Sequence, residues 1–195
     1  MAEQQRVATP PFDVVKNERE RLKRQKENRR SIKAMLEVLI VVAAIAIIVA
    51  TRILPILQVT GSSMTPTLEE GEIVVLVSSD DVKTGDIIGF YYQNKILIKR
   101  VIGLPGDYID IEEDGTVLVN GEKLEEPYVT EAALGECDIT LPYHVPEGKY
   151  FVMGDQRSVS IDSRSTEIGS VSEEQIIGKV TFRIWPFDRI TSLCY

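Results

Sequence analysis

Histidine and cysteine are both scarce in this chain of 195 residues, which has one histidine, His144, and two cysteines, Cys137 and Cys194. Two thiols are too few for a framework of disulfide bonds or for a zinc site built from four cysteines. One histidine excludes a His-rich metal site and leaves His144 as the only candidate base for a Ser-His-Asp triad. We therefore expect no metal and no cofactor, and the sequence leaves open whether the two cysteines pair.

Positive charge is also in short supply. The 22 Lys and Arg residues face 30 Asp and Glu residues, for a net charge of −8, which argues against nucleic acid as the main partner. Hydrophobic residues make up 44% of the chain and charged residues 27%, a balance that excludes wholesale disorder. The length suits one domain of ordinary size with an appendage.

The average charge conceals a division of the chain. Residues 1–33 carry ten basic and five acidic side chains, a net charge of +5, whereas residues 34–195 carry 12 basic and 25 acidic ones, a net charge of −13. Near this boundary lie the thirteen consecutive apolar residues 38–50. The apolar part therefore favours a nonpolar environment, whereas the basic part before it and the acidic part after it favour water.

The apolar run has the length of a membrane span. Residues 35–54 would form a helix that crosses the ~30 Å hydrocarbon core at about 1.5 Å per residue. A buried helix of a soluble domain would show a polar face, and residues 38–50 have none. A cleaved signal peptide is the other alternative, but its basic segment would be unusually long and Ile48-Val49-Ala50 is a poor cleavage site. We therefore expect a permanent anchor over residues 34–57.

The flanking charge predicts the orientation of this anchor. By the positive-inside rule, residues 1–33 lie in the cytoplasm, so residues 58–195 lie outside the cell membrane. Residues 13–33 are rich in charge and contain no proline, and we expect them to be helical and either solvated or in contact with anionic lipid. The sequence thus predicts a single-pass membrane protein with the lipid bilayer as a partner.

The region after the anchor favours β structure. Short runs rich in β-branched and aromatic residues alternate with turn signals, among them Asp114-Gly115 and Asn120-Gly121. In Leu104-Pro105-Gly106-Asp107, proline and glycine stand in the order that a type II turn requires. We predict a mainly β, antiparallel, barrel-like domain over residues 58–195, with one helical turn near residues 173–177. The expected strands are 73–77, 86–92, 95–102, 108–111, 116–119, 149–153 and 176–185.

The first of three polar motifs is Gly61-Ser62-Ser63-Met64-Thr65-Pro66-Thr67-Leu68. A serine in a loop bounded by glycine and proline can present its hydroxyl group to a substrate. Serines in turns usually bind their own backbone, so this motif alone is a weak signal.

The second motif is Lys99-Arg100-Val101-Ile102-Gly103-Leu104-Pro105-Gly106-Asp107. Strand alternation places Lys99 on the same face as Leu97 and Val101. A lysine in such surroundings usually extends its amine to water. If the amine is held inside instead, its pKa falls by up to several units from about 10.4, and a neutral lysine can act as a general base.

The third motif is the polar segment Gly154-Asp155-Gln156-Arg157-Ser158-Val159-Ser160-Ile161-Asp162-Ser163-Arg164. It is typical of a surface loop held by Asp/Arg pairs and serine turns. It also suits a scaffold that orients a catalytic amine, and the segment alone does not decide between the two.

Together, the order and content of the motifs resemble the type I signal peptidases of peptidase family S26, the membrane-bound Ser/Lys proteases that remove signal peptides from exported proteins. The chain is most similar to the short, single-span form of Gram-positive bacteria, and the likeness runs from the anchor to about residue 186. Gln156 and Val159 stand where the family usually has Asn, a departure that concerns the geometry of the loop and not the reaction. The matching pieces are Ser63-Met64-x-Pro66-Thr67-Leu68, residues 99–107 without 101 and 102, Gly154-Asp155-x-Arg157, Ser160-x-Asp162-Ser163-Arg164, and the strand Gly85-Asp86-Ile87-Ile88.

The resemblance implies a catalytic role for individual residues. Ser63 is the nucleophile, and Lys99 is the general base that later protonates the leaving amine. Ser160 orients the amine of Lys99. The backbone N–H of Ser63 binds the oxyanion with help from Gly61 and Ser62, although Gly61 stands where some relatives have a serine.

The resemblance also implies a supporting shell, a set of pockets and a substrate. The substrate is a signal-peptide-bearing preprotein, cut after small residues at −1 and −3. The supporting ion pairs are formed by Arg100, Asp155, Asp162 and Arg164. Shallow pockets for the −1 and −3 side chains are lined by Leu57, Val59, Met64, Leu68, Leu97 and Ile98.

Two other functions are alternatives to this one. A self-cleaving repressor of the related Ser/Lys type is soluble and has a DNA-binding helical domain, whereas this chain has an anchor. A catalytically inactive, membrane-tethered β domain that binds a partner is the second. The presence of Ser63, Lys99 and Ser160 argues against it, because an inactive module has no need of all three.

Overall fold

The structure, a computed structural model, describes residues 12–193. The first eleven residues of the basic segment and Cys194 lie outside this range. The pairing of Cys194 with Cys137, which the sequence left open, therefore also falls outside the described residues. The chain divides into two compact units, Met1–Ala50 and Thr51–Tyr195.

The apolar run and the basic segment before it form one continuous helix, α1, Phe12–Ile53. The apolar side chains of this helix are exposed, for example Val38 (63%) and Ile47 (63%), which contradicts the alternative of a buried core helix. Among the described residues, α1 is the one helix long and apolar enough to cross a membrane, with residues Arg19–Ile48 as the candidate stretch.

The helix ends earlier than the expected boundary at residue 57. It stops at Ile53, and Ile56 already belongs to a strand. The reason is Pro55, because a proline lacks the amide proton that a helix needs and disfavours helical geometry in the residue before it. The helix therefore ends four residues before the end expected for the anchor.

After α1, the regular secondary structure of the described chain consists of strands and two 3-10 turns, and the prediction of an antiparallel β domain preceded by an apolar helix is confirmed. The expected strands match to within one residue at either end, and the expected helical turn is the 3-10 helix Glu173–Gln175. Five strands of only two or three residues were not predicted from the sequence, since so short a segment shows no periodicity. The strands are β1 Ile56–Gln58, β2 Ile73–Val77, β3 Ile87–Tyr92, β4 Lys95–Gly103, β5 Tyr108–Ile111, β6 Val117–Val119, β7 Glu122–Lys123, β8 Tyr143–His144, β9 Lys149–Met153, β10 Val171–Ser172, β11 Ile176–Trp185 and β12 Thr191–Ser192.

The described strands form two sheets. The larger one has the order β1-β2-β11-β3-β4-β9-β10, with β12 paired to β11, and the smaller one has the order β7-β6-β5-β8. A hydrophobic cluster that draws on β4 and β9 of the larger sheet and on β5 and β6 of the smaller one joins the two. The turn between β4 and β5 is closed by a 3.1 Å hydrogen bond from the Asp107 N–H to the Leu104 carbonyl. Gly106 has a φ of 88° there, which explains why a glycine is needed.

A second cluster holds the loop that carries the serine motif. Met64 and Leu68 are 2% and 0% exposed and pack with Val59, Val74 and residues of β3 and β11. Because these two side chains are buried in the core, the loop between them is held against the larger sheet.

Candidate active site

A small cleft lies where the chain after β1 meets the first half of β4. It has a volume of about 110 Å³. Ser63 and Lys99, the two residues expected to react, both line it. The other lining residues are Leu57, Gln58, Val59, Thr60, Gly61, Met64, Ile96, Leu97 and Ile98.

Five of the six expected pocket residues line this cleft, and Leu68 and Ser62 are among the expected site residues that do not. Leu68 is fully buried in the core, where it packs beneath the serine loop instead of facing the cleft. Ser62 is exposed and is also absent from the lining.

Ser63 is half-buried and is held by the backbone on both sides of the loop. Within the loop, the Thr65 N–H donates to the Ser62 carbonyl at 3.0 Å and the Leu68 N–H donates to the Met64 carbonyl at 2.9 Å. From the third motif, the N–H of Gln156 donates to the Ser63 carbonyl at 3.0 Å. The serine is therefore tied to the segment that contains Ser160.

Lys99 lies in β4 with its amine inside the protein. The residue is only 4% exposed, and its Nζ donates a 2.9 Å hydrogen bond to the Oγ of Ser160. Burial lowers the pKa of the amine to about 8, with a further contribution from Arg164, while Asp162 and Asp155 oppose the shift. At pH 7 an amine with this pKa is neutral in about a tenth of the molecules, and the neutral form can accept a proton.

Two buried ion pairs lie behind this amine. The guanidinium of Arg100 binds the carboxylate of Asp155 through two hydrogen bonds of 2.8 and 2.7 Å, and both side chains are at most 1% exposed. Arg164 binds Asp162 in the same manner, with two hydrogen bonds of 2.8 Å. Because each guanidinium makes two hydrogen bonds to its carboxylate, the attraction within each pair offsets the free-energy cost of removing the two charges from water.

The pKa of Asp162 is below its ordinary value. Burial alone would raise it, but hydrogen bonds from the Arg164 guanidinium, the backbone N–H of Gly154 and the Ser160 hydroxyl outweigh that effect. Asp162 therefore stays ionised and connects Ser160 with the backbone at Gly154.

Gly154 is required by the close approach of two segments. A Cβ atom at this position would lie 2.2 Å from the Oγ of Ser160 and 2.6 Å from the carbonyl oxygen of Ser63. No side chain fits there, so the glycine lets the serine loop and the Ser160 segment touch.

Several residues that surround the ion pairs were assigned no role from the sequence. The Tyr128 ring lies 3.8 Å from the Arg100 guanidinium, and burial raises the pKa of its hydroxyl group. The fully buried Arg157 binds the carboxylate of Glu126 and donates a 3.0 Å hydrogen bond to the Gly154 carbonyl. Arginine is a poor sequence signal for burial, because arginine side chains are mostly exposed in proteins.

His144 is not part of this site. It lies in β8 of the smaller sheet, is exposed, and has its ring centroid 4.7 Å from that of Tyr108. Within residues 12–193, no group of three or more His, Cys, Asp or Glu side chains is arranged to hold a metal ion.

Residues 32–185 match the family model described as "Signal peptidase, peptidase S26". A Staphylococcus aureus protein named signal peptidase IB is 37% identical over 178 residues, which cover 80% of this chain and 92% of the relative. A Bacillus licheniformis signal peptidase I is 33% identical over 175 residues, which cover 83% and 93% of the two chains. A solved structure of a signal peptidase I from Enterococcus faecalis is 32% identical, covers 53% of this chain and 100% of its own, and aligns with a TM-score of 0.44.

Proposed function

The chain belongs to the signal peptidase family, peptidase S26, and we propose that it removes N-terminal signal peptides from secreted preproteins with Ser63 as nucleophile and Lys99 as general base. The observation that carries this proposal is the buried amine of Lys99, which is only 4% exposed and lines the same cleft as Ser63. Membership of a peptidase family does not favour the alternative of an inactive binding module.

In the proposed first step, the Oγ of Ser63 attacks the scissile carbonyl carbon while the neutral amine of Lys99 takes the serine proton. The negative charge that develops on the carbonyl oxygen is stabilised by the backbone N–H of Ser63 and by the segment of Gly61 and Ser62. The tetrahedral intermediate then collapses. Its C–N bond breaks, Lys99 returns the proton to the leaving amine, and an ester of Ser63 remains.

In the second step, a water molecule attacks this ester. Lys99 takes a proton from the water and then protonates the Oγ of Ser63, so that the signal peptide leaves with a free carboxylate and both groups regain their initial states. Ser160 holds the amine in place through its 2.9 Å hydrogen bond. The paired charges of Arg100, Asp155, Asp162 and Arg164 hold Ser160 and the serine loop in turn.

The substrate binds as an extended strand in the cleft. Among the described strands, β1 pairs only with β2, and β9 pairs with β4 only from Arg100 onwards. The first half of β4 therefore has β3 as its one strand partner among the described strands. Backbone N–H and C=O groups of β1 and of β4 can thus form hydrogen bonds with an extended peptide in the cleft. The apolar side chains of Leu57, Val59, Met64, Leu97 and Ile98 receive the side chains at −1 and −3, and the small volume of the cleft favours small ones.

The proposed location is the cell membrane, with α1 as the anchor. The basic residues of the helix lie on its cytoplasmic side, and the domain that begins at residue 58 is extracytoplasmic. The test is addition of a protease to intact protoplasts. We expect cleavage in the region after Leu57 and protection of residues 1–33, whereas protection of the large domain would reverse the orientation.

The test of the activity is incubation of the purified full-length protein in detergent with a preprotein. We expect the wild type to release a mature protein whose new N-terminus follows the signal peptide, and Ser63→Ala to release none. Cleavage by Ser63→Ala at the wild-type rate would show that another group reacts.

A further inference from the structure

We propose that Thr67 is a positioning residue for the cleavage reaction, because its hydroxyl group ties the loop that carries Ser63 to the buried pair of Arg100 and Asp155. The inference rests on the proposed roles of Ser63 and Lys99. Thr67 does not line the cleft, so its effect is exerted through the residues that do.

The hydroxyl group of Thr67 is bound on both sides. Its Oγ1 donates a 2.5 Å hydrogen bond to the Oδ2 of Asp155 and accepts a 3.2 Å hydrogen bond from the Nη2 of Arg100. A hydroxyl group has one proton to donate and lone pairs to accept, and here a carboxylate takes the proton while a guanidinium fills a lone pair. Both partners are charged, which makes such hydrogen bonds stronger than neutral ones.

The three members of this cluster belong to the three segments that carry the site. Thr67 follows Ser63 by four residues in the same loop. Arg100 follows Lys99 directly in β4, and Asp155 follows Gly154, against which the side chain of Ser160 lies. A shift of Thr67 relative to its two partners therefore moves Ser63 relative to Lys99 and Ser160.

Arg100 and Asp155 provide a rigid point for this attachment. Their side chains are 0% and 1% exposed, and the guanidinium also donates a 2.8 Å hydrogen bond to the Gly85 carbonyl. If either side chain moved away, the other would remain as an unpaired buried charge, which is energetically costly. The pair is consequently a fixed reference to which the serine loop is tied.

The serine loop gains from Thr67 a directional contact in addition to the 3.0 Å hydrogen bond that the Gln156 N–H donates to the Ser63 carbonyl. It is not part of a strand, and its buried anchors, Met64 and Leu68, are apolar side chains that hold it by packing. Packing fixes a loop less narrowly than hydrogen bonds do, since dispersion contacts have no direction. A misplacement of about 1 Å between reacting groups can lower a rate by about 100-fold.

The carbonyl group of Thr67 gives the loop a second attachment on another side. It accepts a 3.3 Å hydrogen bond from the Nη1 of Arg183, and that guanidinium is held by Glu72 at 2.9 and 3.0 Å. This contact involves the backbone and is kept by any side chain at position 67. Changing the hydroxyl group alone therefore tests the contact with Arg100 and Asp155.

The experiment compares Thr67→Val, Thr67→Ala and Thr67→Ser in the full-length protein in detergent, with a purified preprotein as substrate. Valine has the shape of threonine without the hydroxyl group, and serine restores that group. We expect Thr67→Val and Thr67→Ala to lower kcat by about 10- to 100-fold with KM within about threefold of wild type, and Thr67→Ser to recover most of kcat. The acid limb of the pH profile should not move, because Thr67 has no charge and Asp155 keeps its pairing with Arg100.

The matched control is Thr181→Val. Thr181 is also half-buried and its Oγ1 donates a 3.2 Å hydrogen bond to a carbonyl, that of Lys179, but it lies in β11 away from the cleft. We expect this variant to cleave at the wild-type rate per folded molecule, with folding followed by the fluorescence of the single tryptophan, Trp185.

Three results would overturn the inference alone: a kcat for Thr67→Val within twofold of wild type, a loss no greater than the loss of folded protein, or no recovery in Thr67→Ser. Failure of the wild type to cleave the preprotein would instead overturn the proposed function, and this inference with it.

Discussion

The amine of Lys99 and the hydroxyl group of Ser160 lie 2.9 Å apart although 61 residues separate them in the chain. This contact places a lysine with a lowered pKa beside a group that restrains its direction. Burial supplies the shift in pKa, and the hydrogen bond supplies the orientation. Different measurements report on the two contributions.

The pH dependence of the reaction reports on the burial of Lys99. Because only the neutral amine accepts a proton, kcat/KM should rise with pH and level off above an apparent pKa near 8. The measurement is the pH profile of preprotein cleavage from about pH 6 upwards. An acid limb near the ordinary lysine value of about 10.4 would mean that the amine is not desolvated when it works.

Ser160→Ala isolates the contribution of the hydrogen bond. We expect kcat to fall, because the amine of Lys99 loses its direction, while the acid limb stays near 8, since burial is the main cause of the lowered pKa. The matched control is Ser158→Ala, an exposed serine of the same segment. Full activity in Ser160→Ala would remove this residue from the site.

The two reacting groups should behave as a unit. Ser63→Ala and Lys99→Ala should each abolish cleavage, and the double variant should be no slower than either, because the base has no role without the nucleophile. Lys95→Ala, an exposed lysine of the same strand, and His144→Ala, in the other sheet, should retain most activity. An inactive His144→Ala together with an active Lys99→Ala would contradict the Ser/Lys assignment.

Lys99→Met should stabilise the fold while it abolishes activity. The folded protein binds the lysine proton more weakly than the unfolded chain, since the pKa falls from 10.5 to about 8. At about 1.36 kcal/mol per unit, the protonated amine costs the folded state at most about 3 kcal/mol near pH 7, and an apolar side chain of similar length does not carry this cost.

The pH dependence of that gain has a definite sign. Below pH 8, both states of the wild type bind the lysine proton and the cost is fully present. Between pH 8 and 10.5 the folded state has released the proton, so wild-type stability rises and the advantage of Lys99→Met shrinks. Urea unfolding followed by Trp185 fluorescence measures the difference. A less stable Lys99→Met at pH 7 would argue against a desolvated amine.

The cleft should select small side chains at the cut. Preproteins that differ only at −1 and −3 should be cleaved after Ala or Gly at −1 with a small residue at −3, and poorly with a bulky or charged residue at −1. The reason is the limited volume of about 110 Å³ between β1 and β4 and the presence of apolar side chains in its walls, those of Leu57, Val59, Met64, Leu97 and Ile98. N-terminal sequencing of the products locates the cut. Equal cleavage after Leu, Phe or Lys would contradict the proposed pockets.

Much of the architecture was predictable because it depends on local patterns. The unbroken apolar run of residues 38–50 predicts a long helix. The composition of β4 and β11, rich in β-branched and aromatic residues, predicts strands within a few residues of sequence. The start of β1 was missed, although Pro55 marks it, because Ile56 and Leu57 continue the apolar character of the anchor.

The candidate site was predictable only in part. The motifs indicated which segments matter, and the resemblance assigned Ser63, Lys99 and Ser160 their expected roles. It did not indicate that Leu68 packs in the core instead of lining the cleft, or that Thr67 binds both Arg100 and Asp155.

The sequence by itself therefore determined the helix, most strands and the three reactive segments, while the tertiary structure decided how those segments meet. Period-two alternation assigns a side chain to a face of its strand, but it does not say which distant strand lies beside that face. Nor does it say whether a lysine on that face is covered. The tertiary structure buries Lys99 and brings its amine to Ser160, which lies 61 residues further along the chain, and this burial lowers the pKa of the amine.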